Sequence, residues 1–295
     1  MGQEQIISIA IGAIVFTTMI VIGLDVTLQE FKHLFKKPRP ILIGFLAPAL
    51  VVPIAVWLIQ VTSLPAHIEA GILLVVICPT GNFSNVYASI SRCNTPLSIT
   101  LSVATPLLAF VTMPLWMWAY GYLLEDTLEF HVPTSVLFFR LFILLALPVA
   151  AGMWMRSRFP DFERKCHRLL KRFAFIGIIL LGGYIIFSDS KGFSEDFGPT
   201  AIAAVALTLI TMAVSYLTSR IARLDHRDSL TLVLVNPVRN LAIAIAIAVS
   251  ILHQTQFAVF ATAMFMTQLP VLMVASLLIR RFAPPSKLKI ESGAE

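Results

Sequence analysis

"LTLVLVNPVRNLAIAIAIA", residues 230–248, is a long apolar run broken at its centre by a proline, a permanent cation and two amides. Pro237 removes a backbone donor and clashes with the preceding turn, so a regular helix cannot run through it undisturbed. Asn236, Arg239 and Asn240 all lie within three residues of that proline. A second run, "LLVVICPTGNFSNVYASIS", residues 73–91, is interrupted in the same manner. Each contains Pro-x-x-Asn, as Pro79 to Asn82 and as Pro237 to Asn240. In hydrocarbon a broken helix is tolerated only where its freed backbone groups face protein or a watery cavity. The fold turns on whether these breaks are two ordinary kinks or two halves of one site.

The surrounding composition is that of a membrane protein. The chain has 295 residues, of which 58% are hydrophobic and only 13% charged. Its mean hydropathy is +0.86. Soluble domains carry about 25% charged residues. Runs of about 20 apolar residues are long enough to cross a bilayer as helices. The N-terminal "MGQEQIISIA" has no basic segment, and no small-residue cleavage pattern follows its apolar run. It reads as a first transmembrane helix and not as a signal peptide. Cys78, Cys93 and Cys166 are spaced too irregularly for a metal site or a disulfide framework.

Nine spans are expected: 6–24, 39–61, 68–91, 95–122, 134–155, 172–188, 199–219, 229–252 and 256–279. The net charge of +6 is distributed in a telling way. Nineteen of the 22 basic residues fall in loops 25–38, 156–171 and 220–228, near Arg92, at the adjoining Arg39 and Arg172, or in the tail. All of these lie on one side of a nine-span chain. The opposite side carries "LLEDTLEFH" and "SDSKGFSEDFG", which are acidic. The positive-inside rule then puts the C-terminus in the cytoplasm and the N-terminus outside, across the inner (plasma) membrane. Basic charge sorted this way marks topology, so no nucleic-acid partner is implied; the bilayer is the expected partner.

The two breaks also sit at matching places. Pro79 lies 40 residues after residue 39, and Pro237 lies 38 residues after residue 199. Those two spans run in opposite directions, so residues 39–122 and 199–279 read as inverted-topology repeats. Interrupted helices at corresponding places of two halves point to a transporter's binding site.

At these residues the chain resembles the bile acid:sodium symporter family. "GLDVTLQEFKHLFKKPR" (residues 23–39), "CPTGNFSNVYASISRCNTPLSITLSVATPLLA" (residues 78–109) and the broken eighth span carry the likeness. It is strongest over residues 21–115. Relative to ten-span members the chain is expected to lack the first helix. The resemblance implies one all-α membrane domain, residues 1–295. Its core would be 39–122 and 199–279, with two broken helices crossing near the bilayer midplane. Its panel would be 6–24, 134–155 and 172–188, with 282–295 a flexible cytoplasmic tail. It also implies a first sodium site on Ser84, Asn85, Ser98 and Ser102, all neutral oxygen donors. The second site departs from the pattern. Where relatives carry Glu and Gln this chain has Val235 and Arg239, and a further Gln position falls on Pro48. Sodium is expected only at a weakened site, and no other cofactor is implied.

Arg239 needs a partner. Guanidinium stays protonated, and at mid-span it costs about 2.5–3.5 kcal/mol on insertion scales. Among the sixteen acidic residues, only Glu69 falls inside a span, and Asp25, Asp189 and Asp228 adjoin span ends, all four at a membrane edge. The remaining partners are backbone carbonyls freed at the break, which carry partial negative charge, or an anionic substrate. Arg239 therefore reads as a tethered cation. It would hold the crossing together and attract an organic anion, small or bile-acid-like, which would meet Asn82, Asn240 and Asn236, with Thr267 and Gln268 as weaker candidates. No His pair has metal-ligand spacing and no serine has a histidine or lysine base at membrane depth, so an enzyme is not expected. Two functions remain from the sequence. One is a secondary transporter of an organic anion with altered or absent sodium coupling. The other is a non-transporting receptor or sensor on the same fold.

Overall fold

The computed structural model describes residues 3–24, 38–62, 64–123, 134–188, 190–252 and 254–282. The basic loop 25–37, the acidic loop 124–133 and the tail from 283 onward lie outside the described residues, as does Asp25. Among the described residues the chain is helical with no strand. The helices are α1 (Gln3–Leu24), α2 (Pro38–Val61), α3 (Ala66–Ile77), α4 (Phe83–Ile90), α5 (Thr95–Leu123), α6 (Thr134–Leu141), α7 (Leu147–Arg158) and α8 (Pro160–Ser188). They continue with α9 (Ser190–Ile221), α10 (His226–Val235), α11 (Leu241–Ala246) and α12 (Ala258–Phe282). By length and composition five stretches can cross a membrane: Pro38–Val61, Thr95–Tyr120, Phe138–Arg158, Asp196–Ile221 and Thr255–Arg281. Ile9–Leu24 and Ala66–Ile77 are shorter apolar helices.

Both interrupted runs are interrupted in space. α3 ends at Ile77 and α4 begins at Phe83; α10 ends at Val235 and α11 begins at Leu241. Two other departures from α geometry have no signature in the sequence. π-helical turns occupy Phe142–Ala146, joining α6 to α7, and Ile247–Ile251, extending α11. Apolar periodicity does not distinguish a π turn, because one inserted residue leaves a uniformly apolar run apolar.

Two stretches expected as loops are largely helical. α8 begins at Pro160, inside the basic segment 156–171, and α9 begins at Ser190, inside the acidic one. Hydropathy reports where a helix meets lipid, not where its hydrogen bonds stop. Arg, Lys, Glu and Leu are good helix formers, so α8 continues into the polar zone on "ERKCHRLLKR", residues 163–172.

Small residues bring helices together. Gly23 on α1 and Gly152 on α7 face one another so closely that a Cβ on either would strike the other helix's backbone. Arg156 Nη1 then donates to the α1 carbonyl of Leu24 at 2.7 Å, closing that helix end. Gly177 on α8 sits against Ile14 of α1. On the basic side, α4 and α9 end in the same turn. Arg92 and Arg223 both adopt positive φ, at 57° and 51°. Cys93 N donates to Ala88 O and Leu224 N to Ser219 O, each at 3.0 Å, which satisfies carbonyls at the helix ends. The two turns are tied by Arg227 Nη2 to Arg92 O at 2.9 Å and by Asn94 Nδ2 to Asp228 Oδ1 at 2.7 Å. At the opposite ends of these helices, His67 on α3 meets Asp196 on α9 at 2.8 Å. A continuous apolar core from α1, α2, α3, α5, α11 and α12 encloses the two breaks.

Candidate functional site: the crossing of two broken helices

The two breaks pass through each other. Thr80 and Arg239 form an antiparallel bridge. Gly81 N donates to Val238 O and Asn240 N donates to Pro79 O, both at 2.8 Å. Each break thus satisfies backbone groups that the other has freed, which is how non-helical backbone survives at membrane depth. Gly81 permits the approach, since a Cβ there would lie 2.9 Å from Arg239 O.

Side chains complete the accounting. Arg239 is buried, and its Nη1 donates to Cys78 O at 3.1 Å, a carbonyl freed just past the end of α3. Its Nη2 is buried without a partner among the described residues. Gln268 Nε2 on α12 donates to Pro237 O at 2.6 Å. Thr80 N donates to Thr105 Oγ1 at 3.0 Å. Sequence reasoning missed Thr105 as a cap for the first break. Its place one turn beyond Ser102 on α5 could have pointed to it.

Beside the crossing lies a cavity of about 390 Å³. Asn82, Asn240, Arg239 and Gln268 face it. An apolar wall includes Phe83, Phe175 and Phe265, with ring centroids of Phe83 6.1 Å from each of the other two. Lys171 of α8 also lines it. Two expected residues are elsewhere. Asn236 donates to Ser215 Oγ on α9 at 3.0 Å and does not line the cavity. Thr267 returns its hydroxyl to its own helix, at Ala263 O and Met264 O.

Ser84, Asn85, Ser98 and Ser102 are brought together. Ser98 Oγ donates to Asn85 Oδ1 at 2.7 Å, Asn85 Nδ2 donates to Ser102 Oγ at 3.2 Å, and Ser98 Oγ lies 3.5 Å from Ser84 Oγ. The three serines are buried. These are hard, neutral oxygens of the type a small monovalent cation accepts, with no carboxylate in the set. Val235 and Arg239, two of the three positions that depart from the second-site pattern, offer no side-chain cation ligand. Val235 packs in an apolar cluster with Leu97, Leu101 and Leu232, and Arg239 is itself a cation. Among the described residues no cluster of His, Cys, Asp or Glu has metal-binding geometry.

Apolar helices long enough to span a bilayer, around a mutually hydrogen-bonded pair of breaks with a cavity at their side, are the features of a multi-pass membrane protein. Its chain belongs to the sodium bile acid symporter family, whose profile matches residues 13–195. The second break lies beyond that matched segment. The uncharacterized sodium-dependent transporter YocS of Bacillus subtilis (strain 168) is 28% identical over 69% of this chain and 61% of its own length. The probable sodium/metabolite cotransporter BASS1, chloroplastic, of Arabidopsis thaliana is 26% identical over 78% of this chain and 57% of its own length. The ileal sodium/bile acid cotransporter of Mus musculus is 26% identical over 61% of this chain and 49% of its own length. The matches thus span about half to three fifths of these relatives.

Proposed function

We propose that the chain is a secondary transporter that moves a small or amphipathic organic anion by alternating access, without the full sodium requirement implied by its relatives' names. It crosses the plasma membrane nine times, with the N-terminus outside and the C-terminus in the cytoplasm. Its core consists of inverted repeats at 39–122 and 199–279, and α1, α6, α7 and α8 form the panel. The observation that carries this reading is Arg239. Where a sodium ligand is expected, a guanidinium is tied to Cys78 O across the crossing. A covalently held cation supplies the positive charge that sodium supplies elsewhere. It is always present, so anion binding in the adjoining cavity needs no ion to arrive first.

Asn82 and Asn240 offer amide donors to a carboxylate in the cavity, and the N-terminus of α4, which no side chain caps, adds partial positive charge. The phenylalanine wall receives the apolar body of the substrate. Ser84, Asn85, Ser98 and Ser102 would hold sodium weakly, because neutral dipoles alone must offset its dehydration. Uptake of organic anions into proteoliposomes, with sodium exchanged for choline, tests this. Accumulation in both media is expected. A steep loss in choline would overturn the tethered-cation reading, and binding without accumulation would overturn transport.

A further inference from the structure

Two cationic residues line the cavity, and they differ in kind. Arg239 is buried, its Nη1 is held by Cys78 O and its Nη2 has no accessible surface. It therefore acts on an anion through its field, from behind the amides of Asn82 and Asn240. Lys171 is exposed and reaches the same cavity from α8. Lys171, Ala174 and Phe175 all line it, one helical face at i, i+3 and i+4. Among the described residues no acidic side chain lines it.

The two cations lie at different levels. A Cβ on Gly182 of α8 would lie 3.9 Å from Thr262 of α12. From that contact, α8 followed backward and α12 followed forward both arrive at the cavity. At 1.5 Å per residue, Gln268 at the crossing is about 9 Å along and Lys171 about 16 Å along. Lys171 is thus about 7 Å beyond the crossing, and helical side chains lean toward the N-terminus, which carries its ammonium further the same way. Between the two levels stands Phe175, its ring 6.1 Å from that of Phe83, which follows Asn82 in the chain. The cavity has an amide end at the crossing, an aromatic waist and a cationic mouth.

A volume of about 390 Å³ is at the small end for ligand pockets, which run from about 300 to 1,000 Å³. A molecule that holds the crossing amides and fills the waist ends at Lys171. An apolar tail there would strip water from the ammonium. A second acidic group replaces that water with a charge-assisted hydrogen bond. The ammonium has three donors, so it can serve a ligand alongside a neighbour.

On the reading of the cavity as an organic-anion site, we propose that its preferred substrate is a dianion with one acidic group at each end of a short apolar body, and that Lys171 sets this specificity. The crossing amides hold the first acidic group, the phenylalanine wall holds the body and Lys171 holds the second.

Isothermal titration of the purified full chain in choline medium tests this. The probes are glutarate, adipate and suberate, each against the monocarboxylate of the same carbon count. At one or more lengths the dicarboxylate should bind at least about fivefold tighter, the effect of one hydrogen bond to an exposed cation. Lys171→Gln should bring that ratio close to one, and Lys171→Arg should keep it. Arg172→Gln removes a neighbouring charge that does not line the cavity and should also keep it. A ratio unchanged in Lys171→Gln, or lowered equally in Arg172→Gln, would overturn the proposal. Monocarboxylate binding without a dianion preference overturns it alone and leaves the organic-anion reading standing. Binding of neither class overturns both.

Discussion

At the scale of single residues, one substitution pattern governs the chemistry. Val235 places an apolar side chain among Leu97, Leu101 and Leu232 at a position where relatives are expected to carry a carboxylate. Arg239 places a fixed cation four residues later. A unit charge about 8 Å from a bound carboxylate is worth about 2 kcal/mol at an effective dielectric of 20. Arg239→Gln should therefore weaken organic-anion binding about 30-fold, with no new sodium dependence, because Val235 still offers no ligand. Val235→Glu combined with Arg239→Gln restores both side-chain types, and we expect part of the binding to return only with sodium present. Isothermal titration in sodium and in choline reads both effects. If Arg239→Gln matched wild type in either medium, the residue would be structural only. Ser98→Ala with Ser102→Ala supplies the complementary measurement. It removes two of four clustered oxygens and should eliminate any weak sodium binding, while sodium-independent anion binding persists.

At the scale of elements, the interruptions were legible in the sequence because proline, glycine and paired amides have no business at the centre of an apolar helix unless tertiary structure uses them. The four oxygens of the first-site pattern were legible from the resemblance, and α4 and α5 do bring Ser84 and Asn85 beside Ser98 and Ser102. Contacts made from other helices were not legible. Gln268 reads from the sequence as a weaker substrate contact, yet its amide closes Pro237 O. Asn236 shares the motif but faces Ser215 on α9. Such pairings depend on which face of a half-helix meets its neighbour after folding, and two residues' difference in helix end rotates that face by about 200°. The crossing itself makes a prediction. Gly81→Ala forces a Cβ against Arg239 O, a backbone atom held by its own bridge. Overpacking of this kind costs about 1–3 kcal/mol. At Gly12 and Gly183 an added Cβ would meet nothing within 4 Å, so alanine there should be neutral or slightly stabilising. Melting temperatures of the three variants, measured side by side, check this. Equal stability for all three would mean that the crossing is looser than its hydrogen bonds require.

At the scale of the whole molecule, the proposed orientation and the cavity together give a testable direction. The basic turns at Arg92 and Arg223 lie at one end of the helices, and the His67–Asp196 contact lies at the other. The cavity is lined by Lys171, at the end of the basic segment 156–171, and by Val86 and Tyr87 on the half-helix leading to Arg92. On the proposed orientation, with basic loops facing the cytoplasm, the cavity would belong to the inward side of the crossing, and the protein without substrate should expose it there. Thiol labelling tests topology and access together once Cys78, Cys93 and Cys166 are replaced. Thr62→Cys, exposed after α2, reports the outer face, and Ser157→Cys, exposed at the end of α7, reports the inner one. Val86→Cys, at a cavity position 49% exposed, reports the cavity. In intact cells an impermeant maleimide should modify Thr62→Cys alone. In inside-out vesicles it should modify Ser157→Cys and Val86→Cys, and a bound organic anion should slow only Val86→Cys. Labelling of Thr62→Cys and Ser157→Cys from one side would refute the nine-crossing topology. Labelling of Val86→Cys only from outside would keep the topology and reverse the assigned state, because the same half-helix would then open to the opposite compartment.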